Sequence, residues 1–514
     1  MATSPPINED VNPEGPPVAS TGVAGLDAVL HGGLPREEMH MVQGVAGTGK
    51  TTIALHFLRE GVRNGEPCLY VTLSQTAAHL ERMARSHGWT TDGITVHELT
   101  PDTVADRVSR KQTVLPTTEV ELDELFHDVE KVVKKVRPKR AVIDSITILQ
   151  MVAGSVERYH REVVTLRQLF TEHGCTLMAM ADHPAEEEKG SQPEVIFHPL
   201  CGCVIQLSQE PRPYGDVRRK VRVVKARSLP HNGGYHDLKI DTKGMTVFPR
   251  LGAYQMPEYT EYRRIPSGIE HLDRILGGGV EEGTSCLIVG PSGVGKSSLA
   301  TAFAASVSRA GGHAAIFLLD ERPETYITRS EGVGIPIRSE IDAGRMLVRQ
   351  IDPGAIAPGE FAQQVRALVE AKGTKVVVID SIIGYFAAMG SSDVLVTQLH
   401  ELLTYLTRGG VLLIMCGAQE GFMSIGTTDG VDVSYLSDTI LVLGFYEAQA
   451  TIHRCIAAVK KKHGAHDTGI RELAVVDGRI VVGAEPLTGF HHLLLPDTRA
   501  VGGRNKAGAA NEGG

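Results

Sequence analysis

Two short stretches carry the residue types and spacing needed to hold a chain of phosphates. Gly44-Val45-Ala46-Gly47-Thr48-Gly49-Lys50-Thr51 fits the pattern G-x-x-x-x-G-K-S/T, and Gly290-Pro291-Ser292-Gly293-Val294-Gly295-Lys296-Ser297 fits it again. Glycines let the backbone curl so that its N–H groups point inward, and the helix that follows adds its positive end. In this pattern the lysine reaches the outer phosphates and the hydroxyl residue holds Mg²⁺. The spacing therefore assigns ATP contacts to Gly47, Thr48, Gly49, Lys50, Thr51 and Thr52 in one copy. In the other it assigns them to Ser292, Gly293, Val294, Gly295, Lys296, Ser297 and Ser298.

Metal binding needs an acid as well as a hydroxyl. Ala141-Val142-Ile143-Asp144 and Val376-Val377-Val378-Ile379-Asp380 are apolar runs ending in a carboxylate, so Thr51 with Asp144 and Ser297 with Asp380 form two Mg²⁺ sets. Hydrolysis or transfer of a γ-phosphate also needs a group that orients the nucleophile and takes its proton. Ala315–Leu319 ends in Asp320-Glu321, which supplies two candidate bases, with Asp320 also a candidate Mg²⁺ ligand; the matching run, Pro67–Leu73, ends in Ser74-Gln75, which supplies none. The expectation is a first site that binds ATP and turns it over slowly, and a second that carries the chemistry through Asp320, Glu321 and Lys296. A basic cluster closes each half. Lys225, Arg227 and His231 match Lys460, Lys462 and His466, since 460 − 225 and 466 − 231 are both 235. Such cations suit a γ-phosphate reached across a subunit boundary.

These residues need a scaffold of alternating strands and helices. Apolar runs precede each phosphate loop and helical spacing follows it, which predicts a mostly parallel sheet with helices on both faces. Lys296 follows Lys50 by 296 − 50 = 246 residues, and Gly22, Leu26, Asp27, Leu30, Gly32 and Gly33 recur at that offset as Gly268, Leu272, Asp273, Leu276, Gly278 and Gly279. A period this long is a duplicated domain. The expected layout is a disordered tail at 1–19, a first domain at 20–249, a linker at 250–265, a second domain at 266–494 and a disordered tail at 495–514. Strands are expected at 195–207 and 220–224, a solvated helix at 119–137, a polar loop from Asp182 to Gln192, and a loop at 382–389.

The 514 residues are 22% charged and 42% hydrophobic, the composition of a soluble globular chain. A net charge of −9 argues against indiscriminate binding to a polyanion. Lys131–Arg140 is basic, but its lysines read as the C-terminal end of a helix. The seven cysteines indicate reduced thiols in a cytoplasmic protein, and Cys201-Gly202-Cys203 reads as buried thiols. No apolar stretch approaches the roughly 20 residues of a membrane helix.

The chain resembles the KaiC family of RecA-like ATPases. The resemblance rests on the paired motif Thr21-Gly22…Leu26-Asp27 and Ser267-Gly268…Leu272-Asp273, on Met83-Ala84-Arg85-Ser86-His87-Gly88-Trp89, and on the two lysine-ended strands followed by His231 and His466. It covers roughly residues 20–490. It implies an α/β fold of two tandem RecA-like P-loop domains, a two-tiered homohexamer with ATP and Mg²⁺ between subunits, a nucleotide contact for Ser86, and regulatory or signalling protein partners. Clock members of the family autophosphorylate a Ser and the Thr after it. Ser434-Tyr435 stands at that place here, which makes Ser434 the candidate phosphoacceptor and Tyr435 the alternative. Competing functions are an ATP-gated scaffold without phosphotransfer and a RecA-type nucleic-acid motor. The motor is disfavoured because Ile382–Met389 has no Lys or Arg, and Tyr385 and Phe386, whose rings are able to stack on bases, read instead as core packing.

Overall fold

In the computed structural model the described residues are 16–99, 117–153, 155–182, 193–211, 215–252, 259–261, 263–352, 354–389, 392–418, 427–428, 431–432, 434–488 and 493–494. Residues 1–15 and 495–514 of the expected tails, 183–192 of the loop, and 253–258 and 262 of the expected linker lie outside them, whereas Val18–Ala19, expected in the first tail, pairs as a short strand with Leu34–Pro35. The chain forms two compact units that divide between Arg250 and Leu251.

The first unit is built on a nine-stranded sheet. Its strands are β1 Met39–Gly44, β2 Cys68–Thr72, β3 Ile94–Glu98, β4 Arg140–Asp144, β5 Thr176–Asp182, β6 Cys203–Glu210, β7 Arg218–Ala226, β8 His236–Asp241 and β9 Gly244–Phe248. Their order is β9-β8-β7-β6-β1-β5-β4-β2-β3; strands β1 to β6 are parallel and the last three antiparallel. The second unit repeats the plan with β10 Ser285–Val289, β11 His313–Leu318, β12 Met346–Gln350, β13 Thr374–Asp380, β14 Leu412–Gly417, β15 Thr439–Ala448, β16 Thr451–Lys461, β17 Arg471–Val476 and β18 Arg479–Val482. Their order is β12-β11-β13-β14-β10-β15-β16-β17-β18, and a short β19, Leu493–Leu494, pairs with β15.

Side chains alternate across a strand, so each sheet feeds two cores. Val42, Tyr70, Val142 and Met178 pack on one face, and Met41, Val71, Ile143 and Ala179 on the other. Cys286 and Ile288 are likewise separated from Leu287 and Val289. Burial on both faces explains why the central strands are continuous apolar runs. The phosphate-loop strands β1 and β10 lie inside their sheets, with loop and helix start at the C-terminal strand ends, where open α/β sheets place ligands.

The motif that opens each half is a clasp. Asp27 accepts hydrogen bonds from Ser20 Oγ (2.6 Å) and from Thr21 N and Oγ1 (2.8 and 2.7 Å). Asp273 does the same for Ser267 N and Oγ, at 2.6 and 2.7 Å. Gly33 and Gly279 sit at φ 141° and 128°, where a Cβ would meet the carbonyls of Ala19 and Ile265 at 2.4 and 2.3 Å. Only glycine fits there.

Four local expectations change. Pro193–Leu200 is a 3₁₀ helix, and the strand starts at Cys203, since Pro199 has no N–H to give to a ladder. Thr117–Val136 is an amphipathic helix with Leu125, Val129 and Val133 in the core. Ile382–Met389 is a helix, and Tyr385 is buried against Phe361 at 5.8 Å, which removes that ring from any stacking surface. From sequence, Ser434 is expected at the head of an edge strand; the strand after it, β15, instead lies inside the sheet between β10 and β16.

The lysine between Lys460 and Lys462 of the second basic cluster is structural. Lys461 Nζ is fully buried, 2.9 Å from Glu281, and donates to the carbonyls of Leu276 and Gly279. Removing one partner of a buried pair costs about 3–5 kcal/mol, because the other is left charged in the interior. Lys461→Met should therefore lower the second unit's melting temperature strongly, and Glu281→Leu in the same chain should restore much of it, both by calorimetry.

Candidate functional site

The second site is organised by the loop between β10 and the helix Lys296–Arg309. Gly293 and Gly295 hold left-handed φ values of 77° and 116°, which turn successive N–H groups toward one point. Lys296 Nζ lies across that cradle and donates to the carbonyls of Gly290 (2.8 Å) and Pro291 (2.9 Å). Burial lowers the pKa of this ammonium group. A phosphate would offer it stronger partners than two neutral carbonyls. Ser292, Lys296, Ser297, Asp320, Asp380 and Ser381 line a pocket of about 520 Å³ whose far wall is Val333, Leu473, Val475 and Ile480. Val294 and Ser298 are buried beneath the loop, so their contribution to phosphate binding is backbone N–H.

The acids around this pocket are held differently. Burial raises the pKa of Asp380, while the Ser297 hydroxyl, Arg329 and Lys296 pull it back. Asp320 accepts a hydrogen bond from Ser381 Oγ at 2.7 Å, so it faces the end of the strand that carries Asp380. Glu321 is paired with Arg329 of its own chain at 2.6 Å. Of the two candidate bases, Asp320 is the one with no cation paired to it among the described residues.

In the first site Lys50 Nζ also folds back, to Gly44 and Val45 carbonyls at 2.6 and 3.0 Å. Thr51 Oγ1 donates to Asp144 at 3.3 Å, and Tyr70 OH donates to the same oxygen at 2.6 Å. Gly47 and Gly49 provide the left-handed turns, with φ of 82° and 105°. Thr48 is fully buried and its hydroxyl is spent on Val45 O at 2.8 Å; Thr52 is buried as well. Ser74 is exposed, and Gln75 is closed into a turn in which Thr72 Oγ1 bonds both its N–H (3.0 Å) and its carbonyl (2.8 Å).

An acid that sequence reasoning missed completes this site. Asp182, the last residue of β5, lies 2.9 Å from Lys50 Nζ and accepts a hydrogen bond from Ser145 Oγ at 3.1 Å. From sequence it opens a polar loop. Its position at the end of the apolar run Thr176–Ala181, the signature used for Asp144, was the available signal.

The basic clusters lie elsewhere. None of Lys460, Lys462 and His466 lines the pocket of its own chain. Lys460 Nζ donates to Ser434 O at 3.0 Å and Lys462 pairs with Asp438 at 2.8 Å, so the structure joins the second cluster to the turn Ser434–Leu436. Ser434 is half-buried in that turn and Tyr435 is 59% exposed. In the first unit Lys225 Nζ donates to the carbonyls of His198 and Cys201, and Arg227 N to Gly202 O. His231 and His466 are half-buried. Ser86 Oγ is turned onto Met83 O at 2.7 Å, at the end of its helix.

Hydroxyl and carboxylate oxygens suit Mg²⁺. Among the described residues no group of three or more His, Cys, Asp or Glu converges on one point. The seven cysteines are free and buried, and burial pushes Cys201 and Cys203 up to about 12. No helix among the described residues is long and apolar enough to cross a membrane.

Burial raises the pKa of Asp144 above its ordinary value, so the folded unit holds that proton more tightly than the unfolded chain. This contribution to stability is fully present below the ordinary Asp range and is lost as pH rises through the raised value. At neutral pH the ionised group is a cost. Asp144→Asn should then raise the nucleotide-free melting temperature at pH 7, and the gain should shrink as pH falls toward 4 in a thermal-shift series.

Comparison with known proteins agrees with this geometry. The profile of the KaiC ATPase family matches residues 19–252 and again 265–486. The circadian clock oscillator protein KaiC of Parathermosynechococcus lividus is 26% identical over 497 residues, 93% of this chain and 88% of that protein. The protein of the same name from Parasynechococcus marenigrum is 26% identical, covering 88% of each chain. Circadian clock oscillator protein KaiC 1 of Synechocystis is 26% identical, covering 92% of this chain and 91% of its own. With the family profile matched in both halves, over two phosphate loops each backed by a strand-end acid, the chain belongs to the KaiC family of ATPases.

Proposed function

We propose that this chain is a hexameric signalling or timing ATPase that binds Mg·ATP in both halves and phosphorylates itself on Ser434. The observation that carries the reading is the second pocket, where Lys296, Ser297, Asp380 and Asp320 converge on one 520 Å³ space. Lys296 leaves the loop carbonyls for the outer phosphates, and Ser297 with Asp380 holds Mg²⁺, which neutralises phosphate charge. Asp320 orients the attacking water or hydroxyl and takes its proton. Phosphoryl transfer asks little more of a protein than this positioning.

Transfer runs between copies. Ser434 does not line the pocket of its own chain, and Lys460 and Lys462 flank its turn. In a homohexamer that rim would face the ATP of the neighbouring second domain, so the acceptor and the cations that stabilise developing charge arrive together. Lys225, Arg227 and His231 would serve the first tier in the same way. Protein partners would read the phosphorylation state, as suits relatives named for a clock oscillator.

Lys296→Ala should remove most phosphate release, whereas Lys50→Ala should weaken assembly more than turnover. Phosphate release and sedimentation of both variants check this. If Lys50→Ala abolishes hydrolysis while hexamers persist, the division of labour is wrong.

The trans route has its own check. Mixing Lys296→Ala subunits with Ser434→Ala subunits and γ-labelled ATP should put label on the former alone. Label that survives Ser434→Ala unchanged, or wild-type protein that takes up none, leaves an ATP-gated scaffold as the better account.

A further inference from the structure

The two halves place a carboxylate against the same serine from different strands. After the Mg²⁺-set acid comes Ser145 in one half and Ser381 in the other. Ser381 Oγ donates to Asp320 at 2.7 Å, and Ser145 Oγ donates to Asp182 at 3.1 Å. Asp320 follows β11, whereas Asp182 ends β5.

Backbone pairing shows that the acids have changed places. Leu73 N bonds Asp144 O and Leu319 N bonds Asp380 O, both at 2.8 Å, so Ser74 occupies the place of Asp320. Gly44 pairs with Asp182 in the first sheet, and Val289 pairs with Gly417 in the second. The next residue, Ala418, therefore occupies the place of Asp182, and it lines the second pocket. Where one half has acid at the second strand and alanine at the other, its counterpart has serine and acid.

We infer that Asp182 is the catalytic base of the first domain, taking over on β5 the task that Asp320 performs after β11. This rests on the ATPase reading above and revises the expectation, drawn from Ser74 and Gln75, that the first site lacks a base. Asp182 is half-exposed and so open to water. Its neighbour Lys50 is the residue that meets the outer phosphates, so a water held by Asp182 lies on the γ-phosphate side of the cradle. Thr147 Oγ1 accepts the backbone N–H of Asp182 at 2.8 Å and Ser145 Oγ donates to its Oδ2, so the strand end and the carboxylate are each held by a hydroxyl. In the step, the water oxygen forms a bond to Pγ as the bond from Pγ to the β,γ-bridging oxygen breaks. The electron pair leaves with ADP, and the water proton passes to Asp182 and then to the released phosphate.

The test uses full-length Lys296→Ala protein, in which the first site is the source of turnover. Adding Asp182→Asn should cut phosphate release by about 100-fold or more, while affinity for a fluorescent ATP analogue is unchanged or tighter because a negative charge has gone. Asp182→Glu should recover part of the rate. A contact that only stores Lys50 in the nucleotide-free protein predicts tighter binding with an intact rate, and that intact rate overturns the inference while leaving the ATPase reading in place. Lys296→Ala protein that binds ATP without hydrolysing it overturns it too. If that protein binds no nucleotide at its first site, the wider reading of that site falls as well.

Discussion

A carboxylate held nearly out of water at the tip of a parallel strand, one side chain away from a lysine folded over its own loop, is the constraint on which each half depends. Asp144 is 5% exposed. Burial works against its charge, and the Tyr70 and Thr51 hydroxyls with Lys50 offset only part of that cost. A divalent cation and a polyphosphate entering together would meet both needs, the cation at the acid and the phosphate at the lysine. The double-sided sheet follows from the same need, since only strands covered on both faces can carry an acid to a dry tip.

Duplication preserved this pair and loosened what surrounds it. Thr51–Asp144 and Ser297–Asp380 are equivalent, and so are the clasps of Asp27 and Asp273. The second carboxylate of each site is not. In a parallel sheet adjacent strand tips lie about 5 Å apart, so an acid on either side of the Mg²⁺-set strand reaches the same serine. Its position could therefore move between strands without disturbing the fold. Lys461 shows the converse, for a residue in a run of three lysines became part of the interior while its neighbours stayed at the rim.

Much of the fold was legible because its signals are local. The spacing of glycine, lysine and hydroxyl in each loop, the apolar runs ending in Asp144 and Asp380, and the repeated Gly-Leu-Asp clasp are set by neighbours in the chain. Their geometry needs no distant partner to be inferred, and the doubly covered parallel sheet follows from those runs. Where the expectation missed, a distant contact decided. Ile382–Met389 became a helix because Tyr385 fills space beside Phe361, and β15 lies inside its sheet because β16 returns along it.

The sequence by itself determined that there are two glycine-rich loops, which lysine and hydroxyl close each, and which apolar strands end in Asp144 and Asp380, because periodicity and loop chemistry encode them within a few residues. Only the tertiary structure decided that Glu321 is taken by Arg329, that Lys460 and Lys462 close on the Ser434 turn, and that Asp182 stands beside Lys50. The first depends on how the helix Pro323–Gly332 turns back on its strand, and the others join residues far apart in the chain or set by the register between strands. Register arises from the packing of whole faces, which no single segment carries.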